Sequence, residues 1–296
     1  MRVFVTGASG FVGSAVVSEL LGVGHRVVGL ARSDASASAL AAAGAEVHRG
    51  SLDDPDSLRS GAGASDGVIH LAFIHDFSDF AGAAEADRRA IETLGDALAG
   101  SGRPLVVTSG LAAIRYGGDL RTEDDPADPD SPRASEAAAL PFSDRGVRAC
   151  AVRLPIVHDR GDHGFVPTLI DVARDKGISA YPGDGSNRWP AVHRLDAAAL
   201  FRLALEDAPA GSVLHAVGEE GVPVRDIAGV IGRHLGLPVT SVPSDQVASH
   251  FGWLGAFFSL DLAASSTLTR KRMGWEPARP GLLADLDEGH YFGSQR

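Results

Sequence analysis

The chain has little with which to cross-link itself, cross a membrane or hold a polyanion. Cys150 is the single cysteine among 296 residues, so an internal disulfide is excluded and a reducing compartment, the cytoplasm, is expected. Long apolar runs are missing too: the longest, Phe251 to Leu262, falls short of a bilayer's thickness and carries Asp261 near its end. Lysine and arginine number 27 against 38 aspartates and glutamates, for a net charge of −11, and no basic cluster interrupts that balance. This argues against nucleic acid and anionic membrane as partners. A strand pattern from Arg2 onward leads to the expectation that no signal or transit segment precedes the fold. What is there is an apolar content of 44%, enough for one large core or two linked ones. An acidic chain must bind an anionic ligand with local groups, and one segment supplies them.

That segment is Thr6-Gly7-Ala8-Ser9-Gly10-Phe11-Val12-Gly13. The apolar run Val3-Phe4-Val5 before it reads as a buried strand, and Val16, Val17, Leu20 and Leu21 after it recur at helical spacing. Three glycines at a three-residue repeat thus occupy a strand-to-helix turn. Such a turn needs positive φ and a backbone bare enough to approach a pyrophosphate, while the helix N-terminus offers free N–H groups. Glycines alone mark any tight turn; between a strand and a helix they point to dinucleotide binding by Gly7, Ser9, Gly10, Phe11, Val12 and Gly13.

Strands and helices alternate as far as residue 157. Strands are expected at Arg26–Leu30, Glu46–Arg49, Val68–Ala72, Leu105–Ser109 and Arg148–Leu154, with helical stretches such as Glu85–Leu98 and Ala134–Asp144 between them. The pattern implies an α/β fold, a doubly wound parallel sheet of Rossmann type covered on both faces. The Asp/Pro-rich segment Glu123–Pro132 reads as a surface loop. Past Pro155 the pattern loosens: Gly177–Pro190 is rich in turn formers, Arg194–Glu206 reads as a helix, Ser212–Val217 as a strand, and Ser265–Met273 as a helix ended by Gly274. The expected organisation is a dinucleotide-binding domain over 1–157, with 190–217 returning to it. A smaller substrate-binding portion takes 158–189 and 218–296.

The glycine turn resembles that of the extended short-chain dehydrogenases/reductases, a group that includes nucleotide-sugar epimerases, dihydroflavonol-type reductases and steroid dehydrogenases. Further segments match in order: Gly50-Ser51-Leu52, His70-Leu71-Ala72, Val107-Thr108-Ser109, Arg153-Leu154-Pro155, and Trp189-Pro190-Ala191-Val192-His193 with Asp196. The resemblance implies that Ser51 and Leu52 contact adenine, that Ala72 and Phe73 lie against the cofactor, that Ser109 carries the catalytic hydroxyl and that Pro155 stands beside the nicotinamide. One departure is large. The family's Tyr-x-x-x-Lys is missing; aligning Ser135-Glu136 with its common Ser-Lys puts Pro132 at the tyrosine position and Glu136 at the lysine position. Tyr116-Gly117 matches a different family feature. A carboxylate at Glu136 could accept a ribose hydrogen bond but could not help a phenol ionise.

Replacement groups are sought beyond the carboxyl ends of the strands, where such sheets place their crevice. Phe73, Ile74, His75 and Asp76 follow the fourth strand, Ser109 and Gly110 end the fifth, and His158 and Asp159 follow the sixth. His75 is the preferred proton donor, because imidazole titrates near neutrality and the implied nicotinamide site is adjacent; a solvated loop histidine is the plainer reading. Ser109 is expected to hydrogen-bond a substrate oxygen rather than attack it, since no Gly-x-Ser-x-Gly surrounds it, with Gly110 as the alternative in its slot. His158-Asp159-Arg160-Gly161-Asp162-His163 has metal-like residue types, but its spacing fits neither a helical His pair nor a calcium loop, so no metal is expected, and the segment reads as a substrate contact or a solvated loop. Arg188 and Trp189 are weighed as a substrate clamp against a core role, and His193 and Asp196 as a helix start.

At the end of the second strand, Ala31 and Arg32 occupy the place where NAD sites usually carry a carboxylate. An arginine accommodates a 2′-phosphate, so NADP(H) is favoured, with NAD(H) open through Asp34 two residues on. Three functions follow: an NADP(H)-dependent oxidoreductase acting on a carbonyl, alcohol or imine of a small metabolite with a donor other than tyrosine; a redox-neutral epimerase or dehydratase; or a catalytically silent NADP(H) sensor. Ile91, Leu94, Leu98 and Ala137–Leu140 are apolar stripes on the helices that the family pairs across a two-fold axis, so a homodimer is expected.

Overall fold

A computed structural model describes residues 1–75, 79–114 and 120–293. The first part of the chain runs β1 (Arg2–Thr6), α1 (Phe11–Gly22), β2 (Arg26–Ala31), α2 (Asp34–Ala42), β3 (Glu46–Arg49), α3 (Pro55–Gly63), β4 (Gly67–His70), α4 (Phe80–Leu98), β5 (Pro104–Gly110), α5 (Ser135–Ala139) and β6 (Arg148–Leu154). The second runs β7 (Ile156–His158), α6 (Phe165–Lys176), β8 (Ser179–Pro182), β9 (Arg188–His193), α7 (Arg194–Asp207), β10 (Val213–His215), β11 (Glu219–Pro223), α8 (Val224–Leu235), β12 (Val239–Val242), α9 (Val247–Phe251), α10 (Leu254–Phe258), α11 (Thr267–Met273) and α12 (Leu282–Asp287).

Seven strands form one parallel sheet in the order β10-β6-β5-β4-β1-β2-β3. Both faces are covered, which is why its strands read as continuous apolar runs rather than alternating ones. Val3 and Val5 of β1 point into a core with α1 and α7, whereas Phe4 points into another with α3 and α4. After β3 the chain crosses back over β1 to β4, so the strand order reverses between β1 and β4. That reversal opens a crevice at the carboxyl ends of these two strands, where such sheets bind ligands. A separate core around Trp189, Ile170, Ile231 and Phe258 holds the smaller portion together.

Several elements depart from expectation. Gly177–Pro190 is not plain loop: it contains β8, which pairs with β12, and the start of β9, which joins β7 and β11. The expected Ala134–Asp144 helix is α5 followed by a tighter turn over Leu140–Arg145, because Pro141 cannot continue the α-helical ladder. The Asp/Pro-rich loop is not wholly at the surface. Arg121 and Glu123 are buried, and Glu123 accepts from the backbone N–H and hydroxyl of Thr269 at 2.6 and 2.7 Å, pinning the loop to α11. Of the two apolar stripes named for a homodimer, Ile91, Leu94 and Leu98 are buried in the monomer's own core, whereas Ala137 is exposed and Ala138 and Leu140 are half-buried. Arg88 on α4 pairs with Glu85 and Glu92.

Candidate functional site

The crevice begins with the glycine turn. Gly7 has φ +66°, and a Cβ there would lie 2.7 Å from the backbone nitrogen of Ala72 at the end of β4. A Cβ on Gly13 would lie 2.0 Å from the Gly7 carbonyl oxygen, so the helix can dock on the turn only without a side chain at that position. Gly10 caps α1 with no side-chain hydrogen bond, and the first turn carries no carboxylate. Its N–H groups are therefore left for an outside acceptor, and the helix dipole favours an anion there. This bare cradle fits the pyrophosphate of a dinucleotide.

From the turn a cleft of about 790 Å³ extends along the strand ends. Gly7, Ser9, Gly10, Phe11, Val12, Gly13, Arg32, Ser51, Leu52, Ala72, Phe73 and Pro155 all line it. Arg32 opens onto the end beside β2, joined there by Ser36. Asp34 does not bend back: it is 97% exposed at its side chain and held by Arg49 at 2.6 Å, outside the wall.

The two expected catalytic residues are placed differently. His75 lines the cleft two residues after Phe73, with the two rings edge to face at 5.5 Å. Desolvation in the cleft, helped by the charges of Arg133 and His163, lowers its pKa below the ordinary imidazole value, and a hydrogen bond to the Phe73 backbone opposes this in part. The imidazole is therefore neutral at pH 7 and presents an N–H rather than a full charge. Ser109, next to last in β5, is 2% exposed and is not among the residues that line the cleft. Asp76 and the Tyr116-Gly117 pair lie outside the described residues.

Residues 3–216 match the model of a family described as the NAD dependent epimerase/dehydratase family. The chain belongs to that family. It is 51% identical over 295 residues to an uncharacterized protein of Schizosaccharomyces pombe, covering 99% of this chain and all of that one. It is 26% identical to a 4-hydroxy-2-methyl-3-oxo-4-farnesyl-3,4-dihydroquinoline-1-oxide ketoreductase of Stigmatella aurantiaca, over 85% of this chain and 80% of that one. The crystal structure of a dTDP-glucose 4,6-dehydratase from Streptomyces venezuelae, with NAD bound, superposes with a TM-score of 0.79 at 21% identity, over 99% of this chain and 97% of that one. The family and the sheet together make this an NAD(P)-binding enzyme of the short-chain dehydrogenase/reductase type.

For a member of this family the region around α5 is unusual. Glu136 does not reach toward a ribose: both its oxygens accept from Arg153 at 2.8 Å, and the pair is buried. Arg153 also meets His215, whose pKa is lowered to about 4 by burial in the same interior. Beneath the cleft runs a polar chain that sequence reasoning missed. Thr6 Oγ1 meets His70 Nδ1 at 2.8 Å, His70 Nε2 meets Asp87 at 3.2 Å, and Ser135 donates to Asp87 at 2.6 Å. Arg133 Nε donates to Ser135 Oγ at 3.2 Å, and the Arg133 guanidinium lies 4.1 Å from the centre of the Phe73 ring. This chain joins β1, β4, α4 and α5 directly under a cleft residue. Its members come from four elements far apart along the chain, so no sequence spacing links them.

The His158–His163 segment divides in two. Asp162 and His163 line the cleft, whereas His158 faces inward with Nδ1 2.9 Å from Asp285 of α12. Tyr291 receives a hydrogen bond from the Asp159 N–H at 3.1 Å, tying the C-terminal segment to the same loop. His193 caps α7 by accepting from Leu195 N–H, and Asp196 accepts from the backbone of Ala278 and Arg279. Trp189 is a core residue, 2% exposed, and Arg188 pairs with Asp261 at 2.7 Å, so the two do not form a substrate clamp.

Proposed function

We propose that this chain is an NADP(H)-dependent oxidoreductase that reduces the carbonyl group of a small metabolite, with His75 as the hydrogen-bond and proton donor. The observation that carries this reading is a single continuous cleft. It runs from Arg32 through the bare glycine turn to His75, so a nucleotide end, a pyrophosphate cradle and a titratable donor share one wall. Gly10 and the α1 N-terminus would hold the pyrophosphate, Ser51 and Leu52 the adenine, and Arg32 with Ser36 a ribose 2′-phosphate. When bound, the nicotinamide cofactor supplies hydride to a carbonyl carbon. His75 would donate its N–H in a hydrogen bond to the carbonyl oxygen and pass that proton to the alkoxide as it forms, the resulting imidazolate regaining a proton from solvent through the open cleft. The kinship with a ketoreductase supports the direction of the chemistry.

A second reading, a silent sensor, is supported by the engagement of Glu136 with Arg153 and by the absence of the Tyr-x-x-x-Lys pair. Titrating NADPH and NADH by fluorescence, then following NADPH oxidation against aldehydes, ketones and imines, separates the two. Tight NADPH binding with turnover of a carbonyl compound is expected. Tight binding without turnover of any substrate makes the sensor reading the better one, and no binding of either cofactor overturns both.

A further inference from the structure

Beyond Pro155 the cleft ends in a wall of different character. The loop Asp162–Gly164, the first turn of α6 and Trp253 close it. The Phe165 ring packs on Trp253 at 5.9 Å, on Phe257 at 6.1 Å and on buried Trp189 at 5.7 Å, so the rings are braced from behind by the core of the smaller portion. Trp253 is nonetheless 44% exposed, the one aromatic among the large apolar side chains exposed in the described residues. A braced aromatic surface partly exposed along a cleft is suited to cover a flat apolar ligand.

Charge points the same way. Among the described residues lining the cleft, Arg32 is the only arginine or lysine. It lies at the end of β2, four strand steps from β6, or roughly 19 Å at the usual strand spacing. Arg133 and Arg194 stand behind Phe73 and Phe11, stacked on those rings, and Arg194 is engaged by Asp159 at 3.0 Å. The α6 N-terminus could receive an anion, but Asp162 already occupies it, accepting from the Gly164 N–H at 2.7 Å. Burial raises the Asp162 pKa to about 6, which leaves a carboxylate there at neutral pH and repels a diphosphate.

We propose that this end of the cleft takes the apolar ring of an uncharged carbonyl compound, with Phe165 and Trp253 as the specificity-determining contacts, and turns away nucleotide sugars. The inference rests on the carbonyl-reductase reading for its reactive group but not for its binding surface. With the NADPH-loaded protein, the ratio of kcat/KM for benzaldehyde over glycolaldehyde should fall about tenfold or more in Trp253→Ala and recover in Trp253→Phe, since one ring contact supplies about that discrimination. In parallel, benzamide, a neutral ring that cannot be reduced, should bind the NADPH-loaded protein in calorimetric titrations, which read wild type and Trp253→Ala alike, and UDP-glucose should not. An unchanged ratio in Trp253→Ala, or tighter binding of UDP-glucose than of benzamide, overturns the inference and leaves the reductase reading standing. Benzamide binding that is lost in Trp253→Ala, with no carbonyl compound reduced, supports the inference and overturns the reductase reading instead.

Discussion

A lowered imidazole pKa decides how His75 can work. An ordinary histidine is half charged near pH 6.5, but desolvation in the cleft, with Arg133 and His163 nearby, keeps this one neutral to lower pH. With the neutral N–H as the donor, the reduction rate should stay flat with pH across neutrality, and a rate that falls as pH rises through a value below 6.5 would show the charged form to be the donor instead. His75→Phe should lower turnover by about 10²–10⁴, the usual contribution of a general acid, while NADPH affinity stays within a few-fold. Ser109→Ala, at a position closed off from the cleft, should cost far less. Full activity in His75→Phe refutes the assignment. At the other end of the cleft, Arg32→Ala should remove most of an NADPH-over-NADH preference, about 1–3 kcal/mol for a charge-assisted contact, measured by titrating both cofactors. Equal affinities in the unaltered protein would sink the role given to Arg32.

Short elements are held here by buried polar pairs more than by their own propensity. Helix α5 has five residues and no side-chain cap, too few to persist without tertiary contacts. Its register is set by Ser135 bonding Asp87 of α4 and by Glu136 bonding Arg153 of β6. The Glu136–Arg153 pair is almost fully buried, so removing one partner leaves an uncompensated charge. Glu136→Ala should therefore lower the unfolding free energy by about 3–5 kcal/mol in urea titrations. Glu136→Lys, which restores the family's residue type at the aligned position, should destabilise at least as much rather than improve catalysis, because two cations would then face each other. A variant of wild-type stability would show that the pair does not hold α5 in place.

At the scale of the whole molecule, four histidines set the response to acid. Desolvation lowers the pKa of His75, His193, His215 and His250, that of His215 to about 4. Between the lowered values and 6.5 the unfolded chain binds more protons than the folded one, so stability falls as pH drops through this window. Asp162 acts in the opposite sense: its pKa is raised to about 6, so it favours folding as pH falls from about 6 toward 4. Four imidazoles outweigh one carboxyl. The urea midpoint should therefore decline steadily from pH 6.5 to pH 4, before carboxylates with lowered pKa such as Asp87 and Asp285 are protonated. A midpoint that rises or stays level over that interval contradicts this balance.

What the sequence determined by itself is whatever depends on local chain geometry. The glycine turn, the apolar runs of β1, β2, β4, β5 and β6 and the helix ended by Gly274 were legible, because turn chemistry, periodicity and strand ends are properties of neighbouring residues; Ser51, Leu52, Ala72, Phe73 and Pro155, which line the same cleft, came from the family resemblance instead. Only the tertiary structure decided which way single polar side chains face. Whether Glu136 meets a ribose or Arg153, whether Asp34 reaches the cleft or Arg49, and whether Ser109 opens onto the cleft depend on residues far along the chain. The same holds for strands β8 and β12, whose pairing joins residues 60 positions apart through short stretches with no strong pattern of their own. The aromatic wall is the clearest case. Phe165 and Trp253 come from different elements nearly ninety residues apart, and they line one cleft only because the smaller portion packs its core beneath them.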